Sequence, residues 1–136
     1  MRNNFLEILS FFIYPAIIFF LNFILYFSSN IYSVLPSFDI AMHFLGGFSI
    51  ALTGGLFIDF FERKNHIKIN SKVLFVFVVL CFVISVAVLW EFWEYVMKFF
   101  FNLPWQVTLA DTLKDILVGL IGGIFGSIFF TRFKFD

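Results

Sequence analysis

The chain has 136 residues, of which 62% are hydrophobic and 13% charged, and its basic and acidic side chains balance to a formal net charge of zero. A water-soluble domain of this length has too little interior to hide so much apolar surface, so lipid is the expected solvent for much of it. The even charge balance implies no basic face for nucleic acid, and a single cysteine, Cys81, excludes both an intrachain disulfide and a cysteine metal knuckle.

A membrane helix needs about 20 mostly apolar residues. Four segments qualify, at about 5–27, 40–61, 73–95 and 112–130. They predict an all-α fold: a polytopic membrane protein, a bundle of four transmembrane helices forming one domain over 1–136. The first segment carries Glu7 near its start and Pro15 inside it, the latter read as a tolerated kink. Its apolar region is longer than a signal-peptide core and no small-x-small site follows, so it is expected to stay on the chain. Cys81 falls inside the third segment and reads as a buried small residue. The 25 phenylalanines read as a compositional preference for large apolar side chains that lipid accepts.

Charge sets the expected orientation. Arg2 precedes the first span, Arg63, Lys64, Lys68 and Lys72 lie between the second and third, and Arg132 and Lys134 follow the fourth. Only Lys98 and Lys114 fall on the other side. The positive-inside rule therefore predicts a multi-pass protein of the cell membrane with both termini cytoplasmic. Tyr26, Tyr32, Trp90, Trp93, Tyr95 and Trp105 would then form an outer aromatic belt.

Three polar pairs follow from this topology. Asp39 and His43 open the second span, Glu91 and Glu94 close the third, and Asp111 and Asp115 open the fourth. Each pair is spaced i,i+3 or i,i+4, so each shares a helix face. All three fall at one depth near the outer interface. Charged groups there are costly unless paired, wet or metal-bound, so they are expected to face one another. Small residues continue the same faces: Gly47, Ala51 and Gly55 below His43, Gly119 and Gly123 below Asp115 with Gly122 and Gly126 alongside, and Ala87 behind Glu91. Such stripes let backbones approach closely. They predict that the second and fourth spans pack together while the third completes a polar pocket.

Five carboxylates and an imidazole in one confined place call for a cation. An oxygen-rich set with one nitrogen suits Mg²⁺, Mn²⁺, Zn²⁺ or Fe²⁺. A divalent metal there would polarise a phosphoryl oxygen or activate water, and lipid-linked phosphates are abundant at that depth. On this reading His43, Glu91, Asp111 and Asp115 are metal ligands, and Glu94 or Asp39 is a general base or an orienting group. Lys98, Lys114 and Gln106 are candidate contacts for an anionic headgroup. The simpler reading makes Asp111 and Asp39 helix N-caps and pairs Glu91 and Glu94 with Lys98. Outside the cluster, Asp59, Glu62 and His66 read as a solvated rim, and Lys68 and Lys72 as anchors. No phosphate-binding glycine loop and no serine nucleophile motif is present.

The segments DIAMHFLGGFSIA (39–51), EFWEY (91–95) and DTLKDILVGLIGG (111–123) together resemble the YjdF-like family of uncharacterised bacterial integral membrane proteins. The match runs through Asp39, His43, Phe44, Gly47, Phe48, Glu91, Glu94, Gln106, Asp111, Thr112 and Asp115. Tyr95 stands where that pattern has tryptophan, and the chain is shorter than typical members. It is more weakly similar to VanZ-like proteins, which are associated with glycopeptide-antibiotic tolerance; here Glu94 and Asp115 replace their glutamine and asparagine. The resemblance implies an importance for the three pairs without supplying a reaction. Three readings stay open: a metal-dependent enzyme acting on a lipid or lipid-linked phosphate, a protein binding or transporting an ion, proton or headgroup, and a non-catalytic accessory membrane protein. Membrane lipid is the expected partner, and a homo-oligomer is compatible with the small size.

Overall fold

The computed structural model describes residues 4–29, 31–35, 37–102 and 108–135. The regular structure among them is helical: α1 (Asn4–Phe11), α2 (Ile13–Ser29), α3 (Ile31–Val34), α4 (Phe38–Arg63), α5 (Lys72–Phe101) and α6 (Leu109–Phe135). The helices α4, α5 and α6 are each long and apolar enough to cross a bilayer. The first expected span is instead a broken pair, α1 and α2, bent by 43°. Three helices are thus long and apolar enough to span, and the expected four is reached if the bent pair crosses as one.

Proline chemistry explains the break. Pro15 lacks an N–H, and its ring crowds the carbonyl four residues back, that of Phe11. The chain gives way at Phe12, whose N–H turns back to the Leu9 carbonyl at 3.2 Å. The helix then restarts at Ile13, which puts Pro15 in a first turn, where a missing donor is harmless. The Phe11 carbonyl still needs a partner, because hydrocarbon offers no water to satisfy it. The Thr53 hydroxyl on α4 donates to it at 2.9 Å in a fully buried setting. The bend is therefore fixed by a neighbouring helix.

The core is the seam between α4 and α6, the most extensive helix contact in the fold. A methyl placed on Gly47 would overlap the Gly119 backbone, and one on Gly122 would overlap the Phe44 carbonyl. One on Gly126 would lie 2.7 Å from the Phe48 carbonyl oxygen and 2.9 Å from the Ala51 methyl. Backbone thus meets backbone along the stripe of small residues, as the spacing predicts. On the other flank α5 packs on α6, with Val83 against Gly123 and with Phe75, Val79 and Val83 buried. Most of α5 is left to lipid, including Val73, Phe77, Leu89 and Phe92. Cys81 is exposed on this helix and not buried as expected, since lipid accepts a small apolar thiol as readily as a core does.

At one end of the bundle the charges are ordered, which corrects the reading of a merely solvated rim. Arg63 at the end of α4 donates to the buried Glu7 of α1 at 2.6 Å and to Asp59 at 3.1 Å. Lys134 near the end of α6 pairs with Glu62 and lies 3.7 Å from Asp59. Glu62 also accepts the Ile69 N–H at 2.7 Å, which draws the loop after α4 into the network. That loop leaves α4 through Asn65, held at φ 59°. There the N–H groups of Asn65 and His66 return to the carbonyls of Glu62 and Phe61. Ser71 then caps α5 by accepting from the Leu74 N–H at 3.3 Å.

Candidate functional site

The opposite end of the bundle gathers the polar pairs. Asp39 is the second residue of α4, and the helix continues unbroken through His43. Their side chains therefore meet one turn apart, with His43 Nε2 3.4 Å from Asp39 Oδ1. The close approach of Gly47 to Gly119 brings α6 alongside, and with it Asp115, whose Oδ2 lies 3.9 Å from the same imidazole nitrogen. One ligand atom from each of Asp39, His43 and Asp115 fits within 4.8 Å of the others, a spacing that a single cation can bridge.

Lys114 closes the ring from the other side. Its ammonium lies 2.6 Å from Asp111 Oδ1, 3.2 Å from Asp115 Oδ1 and 3.6 Å from Asp39 Oδ2. The carboxylates of Asp39 and Asp115 are thus bridged twice, by an imidazole through one pair of oxygens and by an ammonium through the other. The sequence suggested Lys114 as a headgroup contact; the geometry makes it a counter-ion within the cluster. Asp111 is held by Lys114 at the rim and is not one of the three atoms that converge.

Glu91 sits behind this ring on α5 and is only 5% exposed. The Thr112 side chain hydrogen-bonds its carboxylate, and the charges of His43, Asp115 and Asp39 act on it. Its Oε1 has no hydrogen-bond partner among the described residues, which for a buried carboxylate oxygen demands an explanation. Glu94, one turn further on, accepts from the Trp90 indole N–H at 2.8 Å and feels the charges of Glu91, His43 and Asp39. Lys98 lies on an exposed stretch of α5 beyond Glu94. Gln106, with Trp105, falls outside the described residues.

The capping alternatives do not hold. Asp39 lies inside α4, whose N-cap is Ser37, and its carboxylate turns to His43 and Lys114. At the start of α6 it is Thr108 whose hydroxyl accepts the Asp111 N–H, at 3.1 Å. Of the residues expected in an outer aromatic belt, one is placed differently. Trp90 turns inward, with its ring edge-on to Phe19 of α2 at 5.9 Å and its N–H on Glu94.

Below the polar ring lies a cavity of about 420 Å³ between α2, α4 and α5. Asp39, His43 and Glu94 form its polar end, and Phe12, Ala16, Phe19, Ile50, Val83 and Val86 are among its apolar walls. Sequence reasoning missed this chamber, because nothing in the first segment marks it as a wall. Thr112 entered the sequence reading only as part of the family resemblance, and its contact with Glu91 was not foreseen.

The arrangement sets three side chains of metal-ligand type within reach of one another beside an apolar chamber. No curated protein and no solved structure matches the chain. Residues 4–135 match a family model described as "Predicted membrane protein (DUF2238)". With nearly its whole length covered by that model, the chain belongs to this family of predicted membrane proteins.

Proposed function

We propose that the polar ring binds one divalent metal ion through Asp39, His43 and Asp115, and that the protein is a membrane-embedded enzyme acting on a lipid or lipid-linked phosphate. The observation that carries this reading is the convergence of one ligand atom from each of those three side chains within 4.8 Å of the others. The charge balance supports it. Five carboxylates lie near one ammonium and one imidazole, an acid-rich set whose mutual repulsion a divalent cation would relieve. A divalent ion held there would supply Lewis acidity toward a phosphoryl oxygen or make a bound water more acidic. Glu94 is placed to take up a proton, and Glu91, steadied by Thr112, to orient the ring. The resemblance of segments 39–51, 91–95 and 111–123 to YjdF-like and VanZ-like proteins falls on these residues.

Elemental analysis of the protein purified without added chelator tests the reading. About one divalent ion per chain is expected, falling to background in His43→Ala and Asp115→Asn variants that keep the fold. Background metal in the parent protein would end it. A transport reading has less support, because the hydroxyls deeper in the bundle are spent on backbone carbonyls: Ser49 on Gly46, Thr53 on Phe11, Ser127 on Ile124 and Thr131 on Ile128. Among the described residues these hydroxyls form no continuous path for a proton or ion.

We further place the polar ring at the outer face, with both termini and the loop after α4 cytoplasmic. Arg63 and Lys134 gather at one end with Glu7, which agrees with the charge bias of the sequence. A single cysteine introduced at Lys68, in a background lacking Cys81, is expected to resist membrane-impermeant maleimide in intact cells and to react after lysis. Labelling of intact cells would reverse the orientation.

A further inference from the structure

Gly46 differs from every other glycine in the chain. At Gly47, Gly54, Gly55, Gly119, Gly122, Gly123 and Gly126 an added methyl would meet neighbouring atoms within 4 Å; at Gly46 it would meet nothing. Glycine inside a helix is unfavourable relative to alanine by about 1 kcal/mol, and at Gly46 no close packing offsets that. What Gly46 does border is the chamber beneath the polar ring, on the α4 side. The residue there leaves room for something other than protein.

The chamber has an entrance. Among the described residues α2 packs on α4 and not on α5. The gap between α2 and α5 is spanned by the edge contact of Phe19 with Trp90. Behind that contact the walls are apolar, and the far end carries Asp39, His43 and Glu94. Trp90 belongs to both parts, since one edge of its ring closes the gap while its N–H holds Glu94.

We infer that the chamber is a binding site for one hydrocarbon chain, acyl or isoprenoid, of a phosphate-bearing lipid that enters sideways from the bilayer between α2 and α5. A volume of about 420 Å³ lies in the range of small-molecule pockets and gives room for one chain. Seating it displaces Phe19 from Trp90, and a moving Trp90 releases Glu94 toward the polar head. The inference rests on the proposed phosphate chemistry only for the nature of that head.

The test is photo-crosslinking in phosphatidylcholine nanodiscs with two probes: a lysophosphatidic acid carrying a mid-chain diazirine, and a diazirine-bearing farnesyl phosphate. Labelling of peptides containing Ala16, Gly46 and Val86 is expected with at least one probe, and the stronger probe identifies the chain type. Gly46→Leu should reduce that labelling roughly ten-fold, since its side chain takes the volume the probe would fill. Labelling of the lipid-facing Phe77 and Leu89 should stay unchanged. Ala16→Phe, from the opposite wall, should do the same and serves if Gly46→Leu does not fold. Labelling confined to lipid-facing positions, or unaltered in both folded variants, overturns the inference. Repeating the experiment on His43→Ala separates the two proposals. Chamber labelling that persists without metal leaves the chain site standing even if the metal reading falls. A metal-loaded protein with an unlabelled chamber removes the chain site alone.

Discussion

Valine in place of Gly47 is expected to force α4 away from α6 and to lower the thermal unfolding midpoint far more than any change at the adjacent Gly46. The two positions are chemically identical in sequence and opposite in setting. A side chain at Gly47 runs into the Gly119 backbone, and one at Gly46 enters open space. Adding carbon to a packed interface typically costs about 1–3 kcal/mol. The obstacle here is main chain, which has no alternative rotamer, so a loss near 3 kcal/mol is expected for Gly47→Val. Gly46→Ala should instead be neutral or gain up to about 1 kcal/mol from helix propensity. Tryptophan fluorescence during heating in detergent measures both. Equal midpoints for the two variants would contradict the seam described for α4 and α6. Because this seam also sets the distance between His43 and Asp115, Gly47→Val should lose metal binding together with stability.

The second large effect is expected at Lys114. Its ammonium lies within 3.6 Å of carboxylate oxygens of Asp39, Asp111 and Asp115. Replacing it with methionine keeps much of the volume and leaves three carboxylates facing one another. Removing one partner of a buried ion pair costs about 3–5 kcal/mol. Lys114 is 40% exposed, so water takes up part of that and a loss of about 2 kcal/mol is expected. A divalent cation should restore it: a ligand at one hundred times its dissociation constant contributes about 2.7 kcal/mol. The expected result is therefore a Lys114→Met protein that melts early in chelator and recovers with Mn²⁺ or Zn²⁺ by a larger shift than the parent shows. Adding His43→Ala should abolish the recovery. A variant as stable as the parent in chelator would mean that the carboxylates are not jointly charged. Recovery that survives His43→Ala would place the cation elsewhere.

The polar ring was legible because helix geometry and membrane depth are both periodic. Pairs at i,i+3 or i,i+4 share a face, and alternating spans return Asp39, Glu91 and Asp115 to one level. The glycine stripes were legible for the same reason, and they foretold the α4 to α6 seam. What escaped depends on contacts between residues far apart in sequence. Pro15 signals that a carbonyl will be orphaned, but the donor is Thr53, 42 residues away. Without that partner, a kink and a complete break look alike in sequence. Lys114 carries the same charge whether it reaches outward to a headgroup or inward to Asp39, and only the packing of α4 on α6 decides. Gly46 and Gly47 are adjacent and identical, and which of them touches backbone is a matter of helix rotation that composition does not encode.

The break at Phe12 also has a mechanical consequence. Below it, α1 is fastened to α4 through Glu7 and Arg63, and Thr53 holds the last carbonyl before the bend. Above it, α2 rests on α4 along the chamber, a softer support than the glycine seam. The first span therefore resembles a lever with its base tied by an ion pair and its arm resting on α4. That arm has 17 residues and is about 25 Å long at 1.5 Å per residue, so a rotation of about 5° at Phe12 carries its tip by about 2 Å. Small torsions at one loosened peptide would widen the gap beside Trp90 while the rigid α4–α6 post holds Asp39, His43 and Asp115 still.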